Sequence, residues 1–152
     1  MARFILLDAG PLGLACARAG TAEVDRCRAW LAHIENSTAD AVIPVIADYE
    51  VRRELIRLRA TAKLRRLDAL RGRFGTVPLE LEAFDRAAEF WALIRRGGMP
   101  TAGDEALDAD AIIAGLAATL GGLNDTVTIA TTNVRHFSRF PGVKAEQWSS
   151  IT

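Results

Sequence analysis

Short apolar runs alternate along this chain with longer segments of helical periodicity. Residues 4–7 and 41–46 are continuous apolar runs of strand length, and residues 127–131 (VTIAT) combine apolar and β-branched side chains. Two weaker strands are predicted at residues 76–79 and 143–147. Because strands that are separated by helix-length segments usually pair in parallel, the pattern predicts an α/β layered domain.

Between these runs, apolar residues recur at intervals of three and four, which is the spacing of one helix face. Helices are predicted over residues 21–35, with Thr21 as the N-cap, and over residues 82–96 and 108–120. Two more helices are predicted between residue 47 and Gly75. In the 82–96 helix the buried face is expected to hold Phe84, Ala87, Ala88, Trp91 and Ile94.

Glycine and proline mark the connections between these elements. Ala-Gly-Pro at residues 9–11 indicates a turn directly after the first strand, and residues 99–105 are predicted to form a loop. Pro44 either weakens the second strand or lies where the sheet needs no N–H donor. No linker, repeat or low-complexity stretch interrupts the pattern, so residues 1–152 are predicted to form a single domain.

The composition is that of an ordinary globular domain. Hydrophobic residues make up 50% of the chain and charged residues 25%, a balance that argues against disorder. No apolar run approaches the roughly 20 residues that a membrane helix needs, and Asp8 comes too early for a signal-peptide core. We therefore expect a cytoplasmic protein without a membrane anchor. Cys16 and Cys27 match no zinc pattern and are expected to stay reduced and packed.

The charges are balanced in number but not in distribution. Lys and Arg total 19, as do Asp and Glu, yet many arginines fall within residues 51–73, where only Glu54 and Asp68 are acidic. Such a segment is either a solvated helix face or a surface that attracts polyanions. The sequence leaves both interpretations open.

Oxygen-bearing side chains follow the predicted strands, at the edge where parallel sheets bind ligands. Asp8 follows the first strand, and Glu50 lies in the helix after the second. Asp110, with Asp108 beside it, lies near the start of the 108–120 helix, and Asn133 follows the VTIAT strand. Clustered carboxylates repel one another by roughly 1 kcal/mol per pair at about 4 Å in water, and a divalent cation relieves that repulsion. Oxygen ligands favour Mg²⁺ or Mn²⁺, which suits phosphodiester chemistry.

Each of these residues also has a structural explanation when taken alone. Asp8 suits a turn or a helix cap, Glu50 suits a helix N-terminus, and Asp48 suits a cap better than a ligand. One of Asp108 and Asp110 is expected to be a first-turn acid. The inference therefore depends on their joint arrangement.

Taken together, these stretches resemble the PIN-domain nucleases, and among them the VapC-type toxins of bacterial toxin–antitoxin pairs. The resemblance covers essentially the whole chain. It is carried by FILLDAGPLG with Asp8, VIADYEVRREL with Glu50, DADAIIAGLA with Asp110 and TTNVRHFSRFPGVKAEQW with Asn133. It implies a three-layer α/β/α sandwich around a central parallel sheet, and an endoribonuclease that depends on Mg²⁺ or Mn²⁺.

The resemblance also implies roles for particular residues. Asp8, Glu50 and Asp110 would be acidic catalytic and metal-binding residues, with Asn133 in the fourth place and Asp108 as a further metal candidate. That fourth place is often acidic in the family, so the neutral Asn133 leaves one-metal and two-metal chemistry open. The implied reaction is in-line attack of a metal-activated water on an RNA phosphodiester, leaving a 5′-phosphate and a 3′-hydroxyl.

Partners follow mainly from the same resemblance. It implies an RNA substrate, such as tRNA or another structured RNA, a homodimer, and a cognate antitoxin whose C-terminal segment covers the active site. The arginines of residues 52–73 would hold RNA or an acidic antitoxin segment. The leucines of the basic segment serve that groove, the dimer or the ordinary core: Leu55, Leu58, Leu64 and Leu67.

Competing functions stay open to different degrees. DAGPLG stands where a dinucleotide-binding fold needs GxGxxG. The chain also contains neither the GxxxxGK[ST] of a Walker A loop nor the GxSxG of an α/β-hydrolase. Lys144 is poorly placed for a phospho-receiver domain. The main alternative is a catalytically weak PIN-fold protein that binds RNA or an antitoxin, and a nuclease that acts on DNA is a further one.

Overall fold

A parallel sheet forms the centre of the molecule in the computed structural model, which describes residues 1–98 and 104–152. The strand order is β3-β2-β1-β4-β5, and each neighbouring pair runs parallel. The sheet consists of β1 (Arg3–Leu7), β2 (Asp40–Pro44), β3 (Thr76–Val77), β4 (Thr126–Thr131) and β5 (Lys144–Gln147). The order reverses at β1, so the chain enters the sheet centrally and extends it to either side.

Helices cover both faces of this sheet and make the three-layer α/β/α sandwich that the resemblance implies. The helices are α1 (Ala9–Cys16), α2 (Ala22–Glu35), α3 (Val45–Arg57), α4 (Thr61–Phe74), α5 (Leu81–Arg96), α6 (Asp104–Thr119) and α7 (Val134–Phe137). Helices α1 to α4 pack into one hydrophobic core, and α5, α6 and α7 into the other. The expected fold class is confirmed.

The apolar run of β1 supplies both cores. Ile5 and Leu7 belong to the core under α1 to α4, whereas Leu6 belongs to the core under α5 and α6. Successive side chains of a strand point to opposite faces, so a central strand that is covered on both sides must be apolar throughout. This explains why residues 4–7 show no alternation of polar and apolar positions.

The first connection differs from the predicted turn, because α1 begins directly after Asp8. Pro11 lies in the first turn of α1, where a missing N–H removes no helical hydrogen bond. A Cβ at Gly10 would lie only 2.5 Å from Oγ1 of Thr132, so this first turn packs against the chain that follows β4. The Ala-Gly-Pro sequence therefore permits close packing of a helix, and the turn prediction was wrong.

The prediction for the buried face of α5 is confirmed for Ala87 and Ile94 and wrong for Phe84, Ala88 and Trp91. The buried residues are Ala83, Ala87, Phe90 and Ile94, whereas Phe84 and Trp91 are 44% and 39% exposed. Apolar residues lie on both sides of this helix, so periodicity alone did not select the buried one. A Cβ at Gly115 of α6 would clash with the Ala83 carbonyl oxygen, which shows how closely α5 and α6 approach.

Other boundaries moved by a few residues. The second strand ends at Pro44, and α3 begins at Val45, two residues earlier than expected. Helix α6 begins at Asp104, whereas the loop was predicted to continue to residue 105. The rest of the predicted loop, residues 99–103, lies outside the described residues. The Thr21 cap is confirmed, since its side chain accepts a hydrogen bond from the Val24 N–H.

Two further expectations concern the cysteines and the membrane. Cys16 and Cys27 are both buried and form no disulfide.

Among the described residues, no helix has the length and apolar character needed to cross a bilayer.

Candidate active site

The candidate site lies at the carboxyl ends of β1 and β4, where the strand order reverses and parallel sheets form a crevice. Asp8 follows β1 directly, and its backbone N–H donates to the Ala130 carbonyl oxygen at 3.0 Å. This bond fixes the start of α1 against the end of β4. The Asp8 carboxylate interacts with Thr131 and with the Ala9 backbone N–H, and both lower its pKa against the larger rise that burial causes.

Thr131, the last residue of β4, organises this edge of the sheet. Its side chain is fully buried, and Oγ1 donates to Oδ2 of Asp8 at 2.7 Å. The same oxygen accepts the Asn133 backbone N–H at 3.0 Å. Thr131 therefore orients one carboxylate and holds the start of α7.

Glu50 reaches the site from α3. Burial raises the pKa of this carboxyl to about 7, and the negative charge of Asp8 and, less strongly, of Asp110 acts in the same direction. The positive charge of Arg53 opposes the shift. Glu50 therefore lies within electrostatic reach of both aspartates, although the three residues come from distant parts of the chain.

Asp110 reaches the site from α6 and contacts two basic side chains of the C-terminal segment. His136 Nδ1 lies 3.1 Å from Asp110 Oδ2, and Arg139 Nη2 lies 3.4 Å from the same oxygen. Burial, followed by the charge of Asp8, raises the pKa of Asp110 to about 6, while the two basic residues lower it. Sequence reasoning missed His136 and Arg139, although their spacing of three residues places them on one side of a helical turn.

These carboxylates suit a loosely held, hydrated cation better than a closed cage. Among the side chains that the structure describes, no three His, Cys, Asp or Glu residues are gathered closely enough to hold a metal ion directly. Yet burial is the largest cause of a raised pKa at each of the three carboxyls: Asp8, Glu50 and Asp110. A divalent cation would offset that charge, and Mg²⁺ usually keeps several waters and binds through one or two carboxylates. The donor set therefore fits such an ion.

Two predicted acids lie elsewhere. Asp108 is exposed and lines a groove with Phe84 and Trp91, about 200° around α6 from Asp110. The structure does not bring Asp108 to the other carboxylates. Asn133 does lie beside them, as the residue before α7, but its side chain is exposed and the described contact to Thr131 uses its backbone.

Asp48 has a structural role that differs from the expected helix cap. The side chain is buried and accepts hydrogen bonds from Arg52 Nε at 3.0 Å and Arg71 Nη2 at 2.5 Å. Burial raises the pKa of Asp48, but the two guanidinium groups outweigh burial and hold it below the ordinary value. This cluster joins α3 to α4.

Much of the basic segment is engaged in the same way. Arg52 also contacts Asp68 at 2.9 Å, Arg57 pairs with Glu54, and Arg73 pairs with Glu35. These contacts favour internal charge compensation over a continuous polyanion-binding stripe. Among its leucines, Leu55 and Leu67 are buried in the core, Leu64 is half-buried, and Leu58 is exposed.

The solved structures that resemble this chain share its fold. No protein-family model matches the chain, and no curated protein matches it by sequence. A chain of VapBC2 from Rickettsia felis, in complex with a promoter DNA fragment, superposes with a TM-score of 0.72 and 14% identity, covering 94% of this chain and 97% of that one.

Two further complexes match to a similar extent. A chain of DNA-bound VapBC from Salmonella typhimurium gives a TM-score of 0.65 at 23% identity, covering 97% of this chain and 99% of that one. A chain of FitAcB from Neisseria gonorrhoeae gives 0.71 at 21% identity, with the same coverage. The chain therefore has the PIN-like α/β/α fold of the chains in these VapBC and FitAcB complexes, as its sequence resemblance implies.

Proposed function

We propose that this protein is a metal-dependent endoribonuclease and the toxin of a VapBC-type toxin–antitoxin pair. One observation carries the proposal: Asp8, Glu50 and Asp110, from three separate stretches, lie within electrostatic reach of one another at the carboxyl edge of the sheet. Burying three mutually repelling carboxyl groups costs stability, and such an arrangement is typical of a functional site. The fold that the chain shares with VapBC chains supports the same assignment.

The contacts of the site residues suggest a separate role for each. Asp8, Glu50 and Asp110 would hold Mg²⁺ or Mn²⁺, in part through its bound waters, with Asn133 at the rim. Bound there, such a cation supplies a water of lowered pKa and stabilises negative charge on the phosphodiester. Thr131 fixes the Asp8 carboxylate by its 2.7 Å hydrogen bond. His136 and Arg139 contact the Asp110 carboxylate, and the Arg139 guanidinium offsets part of the site's charge.

The proposed partners follow from the shared fold and the sequence resemblance. They are an RNA substrate, a cognate antitoxin that covers the site, and a second copy of the chain, all in the cytoplasm. The solved neighbours include VapBC from Salmonella typhimurium bound to DNA.

RNA cleavage by the purified protein tests the proposal. Total tRNA is incubated with the protein in Mg²⁺, in Mn²⁺ and in EDTA, beside the variants Asp8→Asn and Asp108→Asn. The second variant is a matched control, because it makes the same chemical change on the exposed side of α6. We expect discrete fragments in both metals from wild type and Asp108→Asn, and none in EDTA or from Asp8→Asn.

A second function, RNA or antitoxin binding without cleavage, is favoured by two specific observations. Asn133 contributes no charge to the site, and Asp110 is already contacted by His136 and Arg139. Both features reduce the negative charge available to a cation. Intact RNA in every lane, together with retained RNA or antitoxin binding, would replace the ribonuclease assignment by this one. Full cleavage by Asp8→Asn would refute the assigned site.

A further inference from the structure

An exposed tyrosine precedes Glu50 of the candidate site in sequence, and the proposed chemistry gives it no role. Tyr49, the only tyrosine of the chain, precedes Glu50 on α3 and is 55% exposed. The Arg53 guanidinium lies 5.1 Å from the centroid of its ring. An aromatic ring that is left open to water with a cation on one face offers a contact surface for another flat ring.

Arg53 connects this ring to the candidate site. Arg53 and Glu50 line one cleft of about 490 Å³, which also takes in Ala9 at the start of α1 and Lys63 on α4. Arg53 also lies close enough to Glu50 to oppose the rise in its pKa that burial and Asp8 cause. Arg53 therefore contacts the Tyr49 ring and also lines the cleft that contains Glu50 and Lys63.

We propose that Tyr49 and Arg53 form a platform on which an unpaired nucleobase stacks beside the phosphodiester held at the carboxylates. This inference rests on the proposed function and specifies its substrate as a single-stranded stretch of RNA. Exposed aromatic rings and arginine planes bind unpaired bases by stacking, whereas in a duplex the base faces are covered by neighbouring bases. Arg53 and Lys63 offset the charge of the flanking phosphates, which the acidic site would otherwise repel.

The chain contains a matched pair that serves as a control. Trp91 on α5 is 39% exposed, and the Arg95 guanidinium lies 5.3 Å from its ring centroid. Trp91 borders the groove that contains Asp108, on the side of α6 turned away from Asp110. The pair presents a similar chemical surface away from the carboxylate cluster.

Binding measured without cleavage tests the platform. A short fluorescein-labelled single-stranded RNA of mixed sequence and the corresponding RNA duplex are titrated in EDTA with wild type, Tyr49→Ala, Tyr49→Phe and Trp91→Ala, and fluorescence anisotropy is measured. We expect Tyr49→Ala to weaken single-strand binding by about 5- to 100-fold, the range that loss of one base–aromatic stack gives. Tyr49→Phe, which keeps the ring, and Trp91→Ala should bind like wild type, and duplex binding should not change.

Several outcomes would overturn the inference: unchanged single-strand binding by Tyr49→Ala, an equal loss with the duplex, an equal loss in Trp91→Ala, or no single-strand binding by wild type. Normal RNA binding by Tyr49→Ala together with loss of a protein partner would assign the ring to that partner instead. The cleavage assay fails or succeeds separately. If wild type binds single strands through Tyr49 but cuts no RNA, the platform stands and the ribonuclease proposal does not.

Discussion

Replacing Thr131 by valine removes one hydroxyl group and leaves the shape of the side chain nearly unchanged. That hydroxyl donates to Asp8 at 2.7 Å and accepts the Asn133 backbone N–H at 3.0 Å. The substitution therefore releases a site carboxylate and removes a partner from the backbone at the start of α7. Both effects follow from the loss of one buried atom, the Thr131 hydroxyl oxygen.

The two losses differ in magnitude and in what they affect. A hydrogen bond to a charged group contributes about 1.5–3 kcal/mol, so misorientation of Asp8 should lower kcat/KM by about 10- to 150-fold. The Asn133 N–H lies near the surface, where water replaces the lost acceptor, so the stability cost should be only about 1 kcal/mol. For a domain of this size that corresponds to a fall in Tm of about 2–4 °C.

The assay compares Thr131→Val with Thr131→Ser and Thr128→Val, by RNA cleavage rate and by thermal unfolding. Thr131→Ser keeps the hydroxyl and should retain most activity. Thr128 is also buried in β4, three residues earlier and therefore on the opposite face of the strand, so Thr128→Val should leave cleavage unchanged. Wild-type cleavage by Thr131→Val, or an equal loss in Thr128→Val, would refute the reasoning.

Three further predictions concern the ion pairs and the helix packing. Asp48→Asn should destabilise by about 2–3 kcal/mol, since it leaves two arginines without their buried partner, whereas the exposed Asp68→Asn should cost under about 1 kcal/mol. Because the pKa of Asp48 is lowered on folding, its contribution is present at neutral pH and is lost as the pH falls below the ordinary value of 3.8. The free energies of unfolding of wild type and Asp48→Asn, from urea titrations, should therefore converge on acidification. Gly115→Ala should lower Tm, because its Cβ would clash with α5, and an unchanged melting curve would contradict that packing. Arg139→Gln should tighten Mn²⁺ binding in calorimetry by removing positive charge from Asp110, and weaker binding would show that the arginine supports the site instead.

The architecture was predictable because its central strands are apolar and separated by helix-length segments. The runs at residues 4–7, 41–46 and 127–131 each correspond to an observed strand within a few residues. In a parallel sheet both faces are covered, so strand positions are marked by continuous hydrophobicity. The proximity of Asp8 and Glu50 was also predictable, because residues that follow parallel strands meet at one edge of the sheet. Asp110 lies on α6, which follows another helix, so this rule does not place it there.

Local patterns misled where a residue's role depends on a distant neighbour. Ala-Gly-Pro at residues 9–11 reads as a turn, but Gly10 makes room for Thr132 and allows a helix to begin there. Phe84 and Trp91 fit the helical period of α5 as well as its buried residues do, and only the position of α6 decides which side is covered. The sequence around Asp48 suggests a helix cap, but its carboxylate binds Arg71 from another helix.

The sequence by itself determined the order and type of the helices and strands, the α/β layered architecture and the position of Asp8 directly after a strand. These properties depend on local periodicity and on the geometry common to parallel sheets. The tertiary structure alone decided which side chains meet: His136 and Arg139 at Asp110, Thr131 at Asp8, and Arg53 at both Tyr49 and Glu50. Electrostatic and hydrogen-bonding contacts act over a few ångströms, so they depend on how helices pack across the sheet, which the order of residues along one helix does not specify.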